Sequence, residues 1–320
     1  MKKICIAAIL TLIAIALAVP LRAYVVNTSR TAAGDIVRIR WKSTAFPITW
    51  RMNPVQSTNV TGNRTQAEVF TASFAAWQSI TTASVSFIQG PDTASTVRPG
   101  DDGINLITTN TTASDLPAGV LALTASSVYL APGFDPTTGR TIDFAGQIAE
   151  ADIFFNSTVT FSTSTTAVAE QVDLQAVATH EIGHLLGLDH SPLTSATMFW
   201  SVAPGYIYPR TPSSDDIAGI SILYPSSSFA TKGKISGVVR TTANVPVYGA
   251  VVVAVDANGT PAASSVTDPN GAYTIEGLDA GVYSVYAEPL DGPITINNIT
   301  SLLRVYSGAS VNSTFTTRAR

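Results

Sequence analysis

The segment HEIGHLLGLDH, residues 180–190, constrains this chain more than any other stretch. His180 and His184 lie four residues apart, so on a helix both imidazoles leave one face, a turn apart. Gly187 follows, and glycine takes the positive φ that ends a helix abruptly. The chain can then turn back and bring His190 to the same point. Three neutral imidazole nitrogens match a tetrahedral zinc ion whose fourth position is open to water. The fold must therefore supply a helix that stops at Gly187 and a return of the chain.

His180, His184 and His190 are the only histidines in the chain. Glu181 follows the first of them and leaves the helix in a different direction, where its carboxylate can reach a metal-bound water. Zinc brings such a water towards a pKa of ~7 and polarises a carbonyl, and a neighbouring carboxylate can move the proton. The expected site is one catalytic zinc on His180, His184 and His190, with Glu181 as general base and acid.

The chain begins Met1-Lys2-Lys3, followed by an apolar run from Ile4 to Val19 and then Pro20-Leu21-Arg22-Ala23. That layout is expected of a secretory signal over residues 1–23; the alternative is a membrane anchor, for which the run is shorter than the roughly 20 residues of a span. The single cysteine, Cys5, lies inside it, so no disulfide or thiol ligand is expected beyond residue 23. Export without disulfides points to a bacterial source. Removing Lys2, Lys3 and Arg22 takes the 18 basic residues to 15 against 22 acidic ones, a formal charge of −7. A nucleic-acid partner is therefore not expected.

Residues 24–40 read as a short leader. Strand patterns occupy FPITWRMN from Phe46, VSFIQG at 85–90, INLITT at 104–109, GVLALTASSVYL at 119–130 and AEADIFFN at 149–156. A helix is expected over 62–80, where Ala67, Phe70, Phe74 and Trp77 share a face. A second runs from an Asp173 cap to Leu186, and a third follows Ser213 and Ser214, where Asp215 and Asp216 suit the helix dipole. Pro225 and the serine run after it mark a linker over 226–231, and short β runs fill 232–320.

HExxHxxGxxH resembles the metzincin clan. Ser191 after the third histidine and Met198 in SATMF narrow the likeness to matrixins, the family of the matrix metalloproteinases. The resemblance covers 41–225 and implies an α+β domain, a twisted five-stranded sheet with three helices, acting as a zinc endopeptidase on polypeptides. It implies that Met198 supports the ligands from beneath and that GVLALTA is an edge strand which pairs with an extended substrate. By the same analogy one carboxylate of Asp215 and Asp216 holds the mature amino terminus, with helix-end stabilisation as the other reading. Leu123 stands where animal relatives carry a histidine of a second zinc site, so that zinc is not expected. The family's cysteine-bearing propeptide motif is also missing, so cysteine latency is not expected. Phe199-Trp200 replaces the usual Tyr-Pro on the S1′ wall. Asp101, Asp102, Asp135, Asp143 and Asp152 in turns leave calcium as a further candidate ion.

Residues 232–320 resemble the carboxypeptidase regulatory-like, transthyretin-like β-sandwich through GKISGVVR, GAVVVAV and TDPNGAYTIEGLDAGVYSV. Tyr273, Ile275, Tyr283 and Val285 alternate inward, and GASVNSTFTT is expected to supply the last strand. No polar cluster marks a site there. A stabilising module is the favoured reading, with substrate docking and surface association beside it. The alternative for the whole chain is an extracellular binding protein on a degenerate scaffold, against which the intact Glu181 argues.

Overall fold

The structure is a computed structural model that describes residues 25–95, 102–111, 116, 119–306 and 309–319. The signal-like segment, Tyr24 and Asp101 therefore lie outside the described residues. Among those described, no helix is long and apolar enough to cross a membrane.

Five strands form the main sheet in the order Phe87–Gln89, Ile48–Met52, Asn105–Thr108, Gln147–Phe155 and Ala122–Tyr129. The first four pair in parallel and the last pairs antiparallel, placing Ala122–Tyr129 at the edge as expected. Along Ile48–Met52, Ile48, Trp50 and Met52 are buried while Thr49 faces solvent, which is the period-two alternation of a half-covered strand.

Helix α1, Gln66–Gln78, begins at Thr65, whose hydroxyl accepts from Glu68 N while the Glu68 carboxylate accepts from Thr65 N. Such reciprocal caps are worth about 1 kcal/mol and explain a start four residues later than the apolar pattern implies. Val69, Phe70, Phe74 and Trp77 are buried on its inner face. Phe74 stacks on Trp50 with centroids 4.5 Å apart, and Phe70 on Phe155 at 5.6 Å. Each large side chain so buried contributes on the order of 2 kcal/mol of apolar transfer.

Helix α2, Leu174–Leu185, is capped by Asp173, whose Oδ1 accepts from Ala176 N at 2.8 Å. Arg210 donates from Nε to the same carboxylate at 2.9 Å and forms an ion pair with it. Trp77 packs beneath α2 and donates from Nε1 to Thr179 O at 2.8 Å. Helix α3, Ser214–Leu223, starts with a second capping box between Ser213 and Asp216.

The leader is more structured than its sequence suggests. Strands Thr28–Arg30 and Ile36–Arg38 pair as a hairpin, and Val26 bridges Leu188. Asn27 N donates to Gly187 O at 2.8 Å and Asp189 N to Val25 O at 2.7 Å, so the leader lies along the chain return after α2.

Beyond residue 232, Gly233–Val238 pairs with Ala272–Leu278. Pro261–Val266, Val251–Val255 and Ser284–Glu288 form a second sheet, which Arg318–Ala319 joins at its edge. The last strand thus falls just past the expected GASVNSTFTT segment. Ile275 is fully buried, and Tyr273, Tyr283 and Val285 pack partly buried against the core. This β-rich part also carries a short helix that its sequence did not announce, α4 at Thr300–Val305. Ala218 and Ile220 of α3 belong to the same buried cluster as Val252, Ala263, Ile275 and Leu278, so the apolar core is continuous across residues 226–231.

Candidate metal centre

Helix α2 carries His180 and His184 on one face, and Gly187 leaves it with φ 98°, as the sequence requires. The backbone then reverses and places His190 against both. One ring nitrogen from each of the three histidines lies within 4.8 Å of the others. Among the described residues this is the one cluster of three or more such groups; the candidate calcium carboxylates are not brought together there. Asp152 is not in a turn but buried in the strand Gln147–Phe155, where it accepts from Leu106 N, while Asp135 accepts from Tyr129, Thr137 and Thr138, bonds that lower its pKa to about 2.

The tautomers follow from the hydrogen-bond partners. Each Nδ1 meets a backbone carbonyl, which only accepts: His180 donates to Thr197 O at 2.8 Å, His184 to Leu188 O at 2.8 Å and His190 to Asn298 O at 2.5 Å. With protons on Nδ1, the Nε2 atoms of neutral rings carry lone pairs. His184 Nε2 and His190 Nε2 face each other at 3.3 Å. Two lone pairs that close repel unless a cation lies between them, so the donor set fits a metal ion. Burial, and for His180 also the proximity of the other two histidines, pushes the imidazole pKa values down, which keeps the rings neutral and ready as ligands.

Glu181 is buried beside the cluster. Burial pushes its carboxyl up to about 7, opposed by the hydroxyl of Thr124, which donates to Oε2 at 2.6 Å. Thr124 also donates to Glu181 O at 3.0 Å. It was not anticipated from the sequence; the available signal was strand alternation, which puts Ala122 and Thr124 on the same face. Leu123, at the position discussed above, points outward and is 38% exposed.

Met198 lies buried under α2 at Gly183, where an added Cβ would come within 3.1 Å of Met198 Cε and 2.9 Å of Trp77 Cζ2. Asp216 ties this turn down, accepting from Thr197 N at 2.8 Å and Met198 N at 3.1 Å while capping α3. Its role therefore reaches beyond helix-end stabilisation. Asp215, fully buried, accepts from Ser191 Oγ at 2.6 Å and from Ser264 N at 2.7 Å. Its carboxylate is thus engaged by a residue of the β-rich part rather than by the leader.

The cluster opens into a cleft of about 990 Å³. Leu121, Ala122 to Thr124 of the edge strand, Val177, Phe199, Trp200, Val202 and Pro209 contribute to its walls.

Comparison with known proteins agrees with this geometry. The matrixin family model matches residues 40–225, and the carboxypeptidase regulatory-like domain matches residues 234–295. Metalloendoproteinase 1-MMP of Arabidopsis thaliana is 53% identical over 57 residues, 17% of this chain and 14% of that protein. Metalloendoproteinase 1 of Glycine max is 38% identical over 101 residues, 30% of this chain and 28% of that protein. The matches to these two curated relatives thus cover less than a third of either protein's length. Both are plant proteins, which lends no support to the bacterial source expected from the cysteine content. With more than half its length matched by the family model and the three histidines converging as that family's motif implies, the chain belongs to the matrixin family and carries a carboxypeptidase regulatory-like domain after it.

Proposed function

We propose that the protein is a secreted zinc-dependent endopeptidase in which His180, His184 and His190 hold the metal and Glu181 moves the proton. The observation that carries this reading is the meeting of one ring nitrogen from each of three histidines beside a buried carboxylate in an open cleft. When bound, a zinc ion supplies the charge that acidifies a water and makes a peptide carbonyl electrophilic. Glu181 takes the proton of the attacking water and returns it to the leaving amine. Thr124 holds that carboxylate in one orientation. The outer backbone of Ala122–Tyr129 accepts an extended peptide as an added strand, and Phe199, Trp200 and Val202 line the side-chain pocket beyond the histidines. Met198 supports the ligand helix from below. The layout of residues 1–23 supports export, with the regions 24–40, 41–225, 226–231 and 232–320 as leader, catalytic domain, linker and C-terminal domain.

The test pairs metal content with hydrolysis. The purified chain should hold about one zinc and cleave an unfolded protein, and Glu181→Gln should keep the zinc while losing on the order of 10²–10⁴ in rate. A Glu181→Gln protein as active as the parent, or a parent that retains no zinc at neutral pH, sinks the proposal.

A further inference from the structure

His180 and His184 project from a hydrogen-bonded helix, and their Nδ1 partners belong to the same part of the chain. His190 stands beyond Gly187, where no helix holds it. Its Nδ1 partner is the carbonyl of Asn298, 108 residues later. Both of its neighbours are tied to the same distant part. Asp189 accepts His190 N on Oδ1 at 2.7 Å and Ser301 N on Oδ2 at 2.7 Å. Ser191 donates to Asp215, whose other oxygen accepts from Ser264 N at 2.7 Å and Ser264 Oγ at 3.0 Å.

The Asn298 carbonyl is itself fixed. Thr295 donates to Asn298 Oδ1 from N at 2.8 Å and from Oγ1 at 3.0 Å, closing a tight turn. The buried side chains of Ile299, Ser301 and Leu302 anchor the next residues. A carbonyl that fixes the tautomer and plane of a metal-binding imidazole strengthens the ligand, and losing such a partner typically costs 10- to 100-fold in metal affinity.

We propose that the turn Thr295–Ser301, with Ser264, is a positioning element for the third metal ligand, so that metal retention depends on the C-terminal domain. The inference rests on the zinc-ligand reading above and assigns that domain a part in the centre itself. Asn298 acts through His190 and touches neither substrate nor metal.

The experiment uses the full zinc-loaded chain and follows zinc release to a chromogenic chelator. Asn298→Ala removes the acceptor that holds the turn, and release should accelerate about tenfold or more. Asn298→Asp keeps an acceptor for Thr295 and should restore slow release. Val282→Ser, at an 82% exposed position of the same domain, should leave it unchanged. In a second measurement, hydrogen exchange over 295–302 in the unaltered chain should slow when zinc binds, because coupling is reciprocal. Release by Asn298→Ala within twofold of the parent, with the fold intact, overturns the inference alone. If that variant fails to fold, exchange decides: no zinc-dependent protection of 295–302 overturns it. A parent that binds no zinc removes the function proposal as well.

Discussion

Gly183 sits in α2 between two candidate ligands, and its replacement by alanine separates local preference from packing. In an open helix the change stabilises by about 1 kcal/mol, because alanine loses less backbone entropy. Here the new Cβ would press into the sulfur of Met198 and lie 2.9 Å from Trp77 Cζ2. Met198 is 1% exposed and Trp77 is fully buried, so neither can swing into solvent. Overpacking of this kind costs about 1–3 kcal/mol, and it should exceed the helix gain. Gly183→Ala is therefore expected to destabilise the protein by up to about 2 kcal/mol. Met198→Ala alone should cost about 2–5 kcal/mol through its cavity. In that background the contact with the Met198 sulfur is gone and Trp77 can yield into the vacated space, so Gly183→Ala should cost clearly less than in the parent. The expected coupling is about 1 kcal/mol or more, above the few tenths seen for independent sites. Urea unfolding of the four proteins, with chelator present so that metal linkage does not enter, measures it. A Gly183→Ala effect of the same sign and size in both backgrounds would refute the packing argument.

Two other perturbations test the surroundings of the site. Thr124→Val deletes the 2.6 Å bond to the Glu181 carboxylate, and kcat should fall about tenfold while zinc content holds; an unchanged kcat would remove Thr124 from the site. Burial raises the Asp215 carboxyl from its ordinary 3.8 to about 7, so the folded state holds a proton that the unfolded state has released between those values. Native stability from this group is present below about pH 4 and lost as pH rises towards 7, by up to about 4 kcal/mol at 1.36 kcal/mol per unit. Asp215→Asn should show no such loss, so the parent should weaken relative to it across that window in metal-free unfolding. A difference that is flat or of opposite sign would show that the hydrogen bonds from Ser191 and Ser264 outweigh burial.

Much of the metal centre was legible in eleven residues because its geometry is local. Helix spacing aligns His180 with His184, a positive φ at Gly187 ends α2, and six residues bring His190 round. The strands of the main sheet and the cap Asp173 were legible for the same reason, since alternation and capping act over two to four residues. Thr124 and Asp216 were harder. Their side chains invite several partners, and only the packing of the edge strand on α2 and of α3 on the Met198 turn selects Glu181 and the turn amides.

The partner of His190 could not be read at all. It is a backbone carbonyl, a group that every residue carries, and it arrives from 108 positions away on a single turn, Ile296–Asn298, in a β-rich segment. The leader reaches the same turn directly and Ser264 reaches it through Asp215, both by contacts between residues far apart in sequence. Sequence alone thus determined which side chains converge as a candidate metal centre beside a carboxylate. Tertiary packing decided what orients the third of them, because orientation there depends on long-range docking of backbone that carries no residue signature.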